Sequence, residues 1–225
     1  MRLSGKRQPG HGIRFNDMSL RRLGLYCGIA SPILWLALIA TAGALRPDFS
    51  HSTQYISELG ERGSATEALM NYGAFGFTGF LYLCFAAAVL ATFQDGWLRR
   101  AAAILIGVDG IGRMGAGVFP CDPGCVQLSL GPNLHRLFAT IGFGAGVLAP
   151  LLWGLILRRV PSLRSLSSFS VGSGVVALVF LLLMSGTRNP ALPKGVFEHV
   201  ATVVLSVWLL VFASGLVWVG KSSRV

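Results

Sequence analysis

Three of the four histidines fall where the hydropathy pattern predicts one common side of a membrane: His51, His135 and His199. The carboxylates predicted for that side include Asp48, Glu58, Asp122 and Glu198. Three histidines and a carboxylate can hold a zinc ion, with water in the open position. A zinc site is therefore one hypothesis, although the ligands would come from separate segments and no spacing motif supports it. The alternative is that each histidine is an amphipathic side chain at the membrane interface.

Two further ionisable residues, Asp109 and Arg113, lie inside the third apolar stretch. Their four-residue spacing places them on the same helix face. Asp109 precedes Phe119 by ten residues, about 15 Å of helix at about 1.5 Å per residue, which puts it near the bilayer midplane. Charges there are costly and are functional candidates. The pair is either an internal ion pair that fixes packing or the floor of a polar cavity.

Ser57 and Glu58 supply a possible nucleophile and base in the first long connection. Adjacent residues on a helix do not face each other, so a direct dyad is not expected. Ser57 would instead need His135 or His199 as its base. The alternative is an ordinary polar face.

The elements that must position these residues follow from the composition. The chain has 225 residues, of which 53% are hydrophobic and 12% charged, against about 25% charged residues in a soluble domain. Six stretches approach or exceed the roughly 20 apolar residues that span a bilayer. They are Leu23–Leu45, Leu69–Phe93, Leu98–Phe119, Leu134–Leu157, Leu166–Ser185 and Val196–Val219. Because backbone amides in lipid need internal partners, the predicted fold is all-α, a polytopic six-transmembrane-helix bundle.

The basic residues are distributed unequally between the two sides of this bundle. One side carries Arg2, Lys6, Arg7, Arg14, Arg21, Arg22, Arg99, Arg100, Arg158, Arg159, Arg164, Lys221 and Arg224. The other carries Arg46, Arg62, Arg188 and Lys194. Cytoplasmic loops hold the excess of Lys and Arg, so both termini are predicted to be cytoplasmic. The net charge of +10 is therefore interpreted as a topology signal and not as a nucleic-acid-binding surface.

This topology divides the chain into a flexible basic cytoplasmic tail (1–22), the transmembrane domain (23–220) and a short cytoplasmic tail (221–225). The first span is longer than the roughly 7–15-residue core of a signal peptide, and no cleavage site follows it, so it is expected to remain as a helix.

The outward connection after the third span reads FPCDPGCVQLSLGPNLHR and contains Cys121 and Cys125. An oxidising exterior favours a disulfide between them. Free thiols and a metal half-site are the alternatives. Cys27 and Cys84 lie within spans, where they are expected to be small apolar residues.

The first connection is the longest and has helix signals of its own. Ser64 and Glu67 fit a capping box that would start the second helix near Ala65. Before it, Ser52–Leu59 is expected to form a short helix lying on the outer membrane surface. Gly110–Gly115 matches GxGxxG, but the match lies inside a span and lacks the strand that a dinucleotide site requires.

Four segments resemble a known family: RPDFSHSTQYISELGERGSATEALMNYG, GVFPCDPG, LHRLFATIGF and GVFEHV. They are similar to domain-of-unknown-function family 998, prokaryotic membrane proteins of about this length. The resemblance implies a multi-pass protein of the inner membrane with Ser57, Glu58, Asp122 and His135 at the family's motif positions. It implies no activity. A fainter similarity runs to membrane hydrolases of the alkaline-ceramidase type, but His199 lacks the second histidine of their paired motif.

These observations predict an outward-facing polar pocket formed by Ser57, Glu58, Asp109, Arg113, Asp122, His135, Glu198 and His199. The leading interpretation is a protein that binds a lipid or a partner in the outer leaflet. A membrane-embedded lipid hydrolase, with or without zinc, and a small transporter are the alternatives. Whether the chain is an enzyme and whether it forms homo-oligomers stay open.

Overall fold

The structure is a computed structural model that describes residues 17–93, 95–125, 130–186 and 192–222. Its long helices are α1 (Asp17–Ala44), α2 (Thr78–Thr92), α3 (Trp97–Val118), α4 (Leu130–Leu157), α5 (Leu166–Gly186) and α6 (Lys194–Ser222). A π-helical segment, Leu69–Phe77, leads directly into α2 and forms the first part of the second span. No strand occurs among the described residues, and the predicted all-α fold is confirmed.

Within the described ranges, six helices are long and apolar enough to cross a membrane, as the hydropathy pattern predicts. The largest boundary differences are the starts of α1, at Asp17 instead of Leu23, and of α4, at Leu130 instead of Leu134. Hydropathy marks the stretch suited to lipid, whereas backbone hydrogen bonding continues into the polar flank. Residues 17–22, predicted as tail, therefore belong to α1, and the rest of that tail, with His11, lies outside the described residues.

The helices form a closed ring in which each contacts its sequence neighbour and α6 returns to α1. The end of the ring where α1 begins and α4 ends is filled by large apolar side chains, with Trp153 and Phe212 at its centre, 4.9 Å apart between ring centroids. The opposite end is closed by two connections, residues 45–66 and 119–125, which we call the cap. The buried ionisable residues lie toward the cap, whereas buried serines such as Ser167 and Ser170 also occur at the other end.

Within the cap, the predicted surface helix is wrong in both extent and position. In the first connection only Ile56–Gly60 is helical, as a single 3-10 turn. Ile56 and Leu59 are 1% and 0% exposed, and they pack with Trp35 and Met70. Because these apolar side chains find partners inside the ring, the segment plugs the end of the bundle instead of lying on a membrane surface.

The predicted capping box also differs. The Glu67 carboxylate accepts from the Gly63 amide at 2.7 Å, and the Ser64 hydroxyl donates to the Leu59 carbonyl at 3.1 Å. Ser64 thus serves the buried turn and not the second helix, which begins at Glu67. Tertiary packing of the cap explains the exchange of partners.

Glycines set the closest helix approach. A Cβ on Gly112 of α3 would lie 2.5 Å from the Cα of Gly142 on α4, and a Cβ on Gly115 would lie 2.2 Å from the Phe138 ring. The glycines of the rejected GxGxxG match therefore serve helix packing, as small residues do in membranes.

We expect Gly112→Ala to lower the melting temperature of the detergent-solubilised protein, because the new methyl meets backbone that has no room to move. The matched control is Gly172→Ala on α5, where a Cβ meets nothing within 4 Å. Alanine at position 172 should leave the melting temperature unchanged or raise it, because alanine favours the helix over glycine by about 1 kcal/mol. Equal melting temperatures for the two variants would show that the α3–α4 contact is looser than described.

Candidate functional site

The cap is organised around one buried guanidinium, that of Arg46, which is 9% exposed. It forms ion pairs with Asp48 at 2.8 Å and Glu61 at 3.2 Å, and it donates to the Glu58 carbonyl at 3.0 Å. The hydrogen bond from Arg46 lowers the pKa of the Asp48 carboxyl, and the same bond raises the pKa of Arg46. The first connection is thereby folded back on itself.

The second part of the cap is tied to the first by Glu61 and Arg62. Glu61 accepts from the Gly124 amide at 2.6 Å, and the Arg62 amide donates to the Cys121 carbonyl at 2.9 Å. The Arg62 side chain also lies 3.5 Å from Asp122.

The cysteines of the 119–125 connection, Cys121 and Cys125, are joined by a disulfide with their Cα atoms 4.8 Å apart. Cys121 is 1% exposed. The bridge closes the short turn that carries Asp122, and both cysteines contribute to the wall of the space beneath the cap.

That space is a cavity of about 790 Å³ inside the ring. Its polar lining includes Ser57 from the cap, Asp109 and Arg113 from α3, His135 from α4 and Glu198 from α6. Its apolar lining comes mainly from α4 and α5, including Leu148, Leu178 and Leu182. These three leucines are 50%, 40% and 61% exposed, so the cavity wall is continuous with the apolar outer surface of the bundle.

Asp109 and Arg113 form the ion pair that their spacing predicts, with Nε to Oδ1 at 3.0 Å and both side chains 8% exposed. The guanidinium carbon lies 4.5 Å from the Trp35 ring centroid and 4.6 Å from that of Tyr82. Aromatic faces on α1 and α2 therefore enclose the cation from α3. On the other side, a Cβ on Gly146 would lie 2.9 Å from Asp109 Oδ2, so glycine leaves space for the carboxylate.

His135 is 8% exposed and lines the same cavity. Its Nδ1 lies 2.9 Å from the Ala116 carbonyl and 3.1 Å from the Phe119 carbonyl, so this nitrogen donates. The ring is thus anchored to the end of α3, and Nε2 is the nitrogen left for other chemistry. Ser57 Oγ lies 3.5 Å from Cys125 Sγ. Among the described residues no hydrogen bond joins Ser57 to a histidine, so the serine–histidine pairing considered as one possibility from the sequence is not formed.

Glu198 is 7% exposed, and its carboxylate accepts from the Ile56 amide at 2.7 Å. This bond connects the start of α6 to the buried turn of the cap. Burial, followed by the nearby Glu198 and Glu58 carboxylates, raises the pKa of Tyr55.

Glu58 is buried but does not line the cavity. It accepts from the Tyr55 amide and from Gln54 Nε2, both at 2.9 Å, and lies 3.9 Å from Lys194 Nζ. These partners make Glu58 a structural acceptor within the cap.

His51 and His199 form a pair away from the cavity. His199 Nδ1 lies 2.8 Å from the Gly195 carbonyl and therefore donates. Its Nε2 is then the acceptor for His51 Nδ1, 2.9 Å away. His135 is bound elsewhere, and no group of three potential metal ligands occurs in the part of the chain that the structure describes. The three histidines therefore do not assemble the zinc site considered from the sequence.

Of the residues predicted to share one pocket, the structure places Ser57, Asp109, Arg113, His135 and Glu198 on the cavity wall. Glu58, Asp122 and His199 lie outside it. Sequence reasoning missed Trp35 and Tyr82, because an aromatic residue within an apolar span gives no signal of what it contacts. It also missed Arg46, whose position directly before a proline in a short polar segment resembled an ordinary membrane-flanking charge.

We expect Arg46→Met to lower the melting temperature of the solubilised protein, since it removes the guanidinium that donates to the Glu58 carbonyl and to Glu61 Oε1, a loss of about 1–3 kcal/mol. The control is Arg62→Met, because the Arg62 side chain is 50% exposed and its ion pair is of the surface kind, worth about 0–1 kcal/mol. Equal losses for both variants would contradict the central position given to Arg46.

The Arg46–Asp48 hydrogen bond also predicts how the stability of the folded protein changes as pH falls. The pKa of Asp48 is lower in the folded protein than the ordinary aspartate value of about 3.9. Its contribution to the free energy of unfolding is therefore fully present above that ordinary value, and it is lost as pH falls through the lower folded value. Asp48→Asn should therefore reduce the difference in melting temperature between pH 7 and pH 3. An unchanged difference would mean that Asp48 does not contribute.

Comparison with known proteins identifies the chain at the level of family. No curated protein and no solved structure shows significant similarity to it. The profile described as "Protein of unknown function (DUF998)" matches residues 29–215, which include the six spans in whole or in large part and the entire cap. The chain is therefore a multi-pass membrane protein that belongs to the DUF998 family.

Proposed function

We propose that this protein binds a lipid-class amphiphile in the cavity beneath its cap. The observation that carries the proposal is the amphipathic lining: buried polar groups from α3, α4 and α6 at the centre, and leucines of α4 and α5 toward the outside. An amphiphile has the same division, with a polar group that needs hydrogen bonds and an apolar tail that needs none.

The apolar wall gives this ligand a route from the bilayer. Leu148 on α4 and Leu178 and Leu182 on α5 line the cavity and are also exposed on the outside of the bundle. A tail lying between these two helices would keep contact with the surrounding lipid while its polar group enters the ring. The volume of about 790 Å³ is within the roughly 300–1,000 Å³ of small-molecule sites.

Binding fits the contacts better than the hydrolase alternative. A hydrolytic site needs a nucleophile within hydrogen-bond reach of its base, or a metal. In the described residues Ser57 has no histidine partner, and no group of three metal ligands is found.

The test uses two glycines whose added Cβ would meet nothing within 4 Å: Gly144, which lines the cavity, and Gly172, which does not. Both are exposed helix positions, so both substitutions add the same apolar volume and helix propensity. Protein purified from membranes in mild detergent is analysed for co-purified lipid by native mass spectrometry.

We expect Gly144→Leu to reduce lipid occupancy by about tenfold relative to Gly172→Leu, because overpacking of a filled site costs about 1–3 kcal/mol. The same occupancy in both variants, or no lipid bound to the unmodified protein, would overturn the proposal.

We further propose that the cap faces away from the cytoplasm in a prokaryotic inner membrane. The support is the excess of Lys and Arg in the connections at the other end of the bundle. The cap then opens to an oxidising compartment, in which the Cys121–Cys125 disulfide persists.

This orientation predicts the labelling of two exposed positions, Thr53 in the cap and Asp95 at the opposite end. In a background with Cys27→Ala and Cys84→Ala, a membrane-impermeant maleimide should label Thr53→Cys in intact bacterial cells. It should label Asp95→Cys only after permeabilisation. The reverse pattern would invert the topology.

A further inference from the structure

We infer that the cavity floor recognises a carbonyl oxygen of an uncharged amphiphile through Arg113 and Trp35. This inference rests on the amphiphile site proposed above. Both residues line the cavity, and each has one buried side-chain nitrogen donor without a partner among the described residues. The ligand's tail follows the leucines of α4 and α5, and its carbonyl lies at the ion pair of α3.

The first donor is Nη1 of Arg113. The Nε of this guanidinium donates to Asp109 at 3.0 Å, and its central carbon lies 4.5 Å and 4.6 Å from the ring centroids of Trp35 and Tyr82. Nη1 is buried and has no hydrogen-bond partner among the described residues. The guanidinium therefore still has this N–H group to donate.

The second donor is Nε1 of Trp35, which is likewise buried without a partner in the described part of the chain. Trp35 is 4% exposed, and its ring centroid lies 4.5 Å from the Arg113 guanidinium carbon, so the two side chains that carry the donors are in contact. Buried donors left unpaired are strongly disfavoured. A carbonyl oxygen has two lone pairs and no hydrogen of its own, so it can satisfy both.

The charges at the site favour an uncharged ligand. The Arg113 guanidinium is already matched by the Asp109 carboxylate, and Glu198 adds a second acid to the cavity wall. His135 contributes its ring with Nδ1 committed to backbone carbonyls. A phosphate at the cavity floor would face two acids and one buried guanidinium, because Arg136, the other cation of the cavity wall, is exposed. A neutral carbonyl adds no charge to this low-dielectric space.

Carbonyl groups of this kind occur in the esters of neutral glycerolipids and in membrane quinones. Four probes separate the possibilities: dioctanoylglycerol, its dialkyl ether analogue without carbonyls, decylubiquinone and dioctanoyl phosphatidate. Direct binding of tritiated dioctanoylglycerol to the solubilised full-length protein is measured by scintillation proximity, and the other probes are competitors.

We expect dioctanoylglycerol or decylubiquinone to bind at least about tenfold more tightly than the ether analogue and the phosphatidate, which corresponds to about 1.4 kcal/mol. The stronger of the two carbonyl probes then identifies the source. Tighter binding of the phosphatidate, or equal binding of ester and ether, would overturn the carbonyl inference while leaving the amphiphile site intact. Failure of every probe to bind would count against both.

A conservative substitution tests the donor itself. Trp35→Phe removes Nε1 but keeps an aromatic ring over Arg113, and it should weaken carbonyl-probe binding by about fivefold to tenfold. The matched control is Trp153→Phe, because Trp153 Nε1 is also buried without a partner among the described residues but lies in the core away from the cavity. Equal affinities of the two variants for the carbonyl probes would overturn the assignment of Trp35.

Discussion

The ion pair between Asp109 and Arg113 is the interaction on which the architecture of the bundle depends. Burying these charges in the middle of a span is expensive, and neighbouring helices must supply compensation. Trp35 on α1 and Tyr82 on α2 cover the guanidinium, while Gly146 on α4 leaves room for the carboxylate. The pair therefore constrains which residues α1, α2 and α4 can place against α3. It also places a charged centre in the cap half of the ring, whereas the other half is filled mainly by apolar side chains.

The cap is the second constraint, because a hollow end must be closed without leaving backbone groups unpaired. Arg46 gathers the first connection, and Glu61 and Arg62 bind it to the second. The 3-10 turn then inserts Ile56 and Leu59 into the ring, and Glu198 on α6 accepts the Ile56 amide. The cap contributes Tyr55, Ile56, Ser57, Cys121 and Cys125 to the cavity wall and so closes one end of the cavity.

These two constraints give the cavity its mixed lining and give the proposed binding function its physical basis. The polar centre is nearly balanced in charge and offers donors on nitrogen, and the wall toward the bilayer is apolar. The zinc hypothesis depended on three histidines meeting, but His51 pairs with His199 while His135 is held by the carbonyls at the end of α3.

The sequence by itself determined the number and class of the helices, because a bilayer imposes length and apolarity that can be counted along the chain. It also determined the Asp109–Arg113 pair, since helical spacing places both on one face. Only the tertiary structure decided that Ser57, His135 and Glu198 share a cavity while Glu58, Asp122 and His199 do not. Those residues belong to different segments, and contacts between segments depend on helix rotation, close glycine approaches and the burial of the cap, none of which local sequence periodicity encodes.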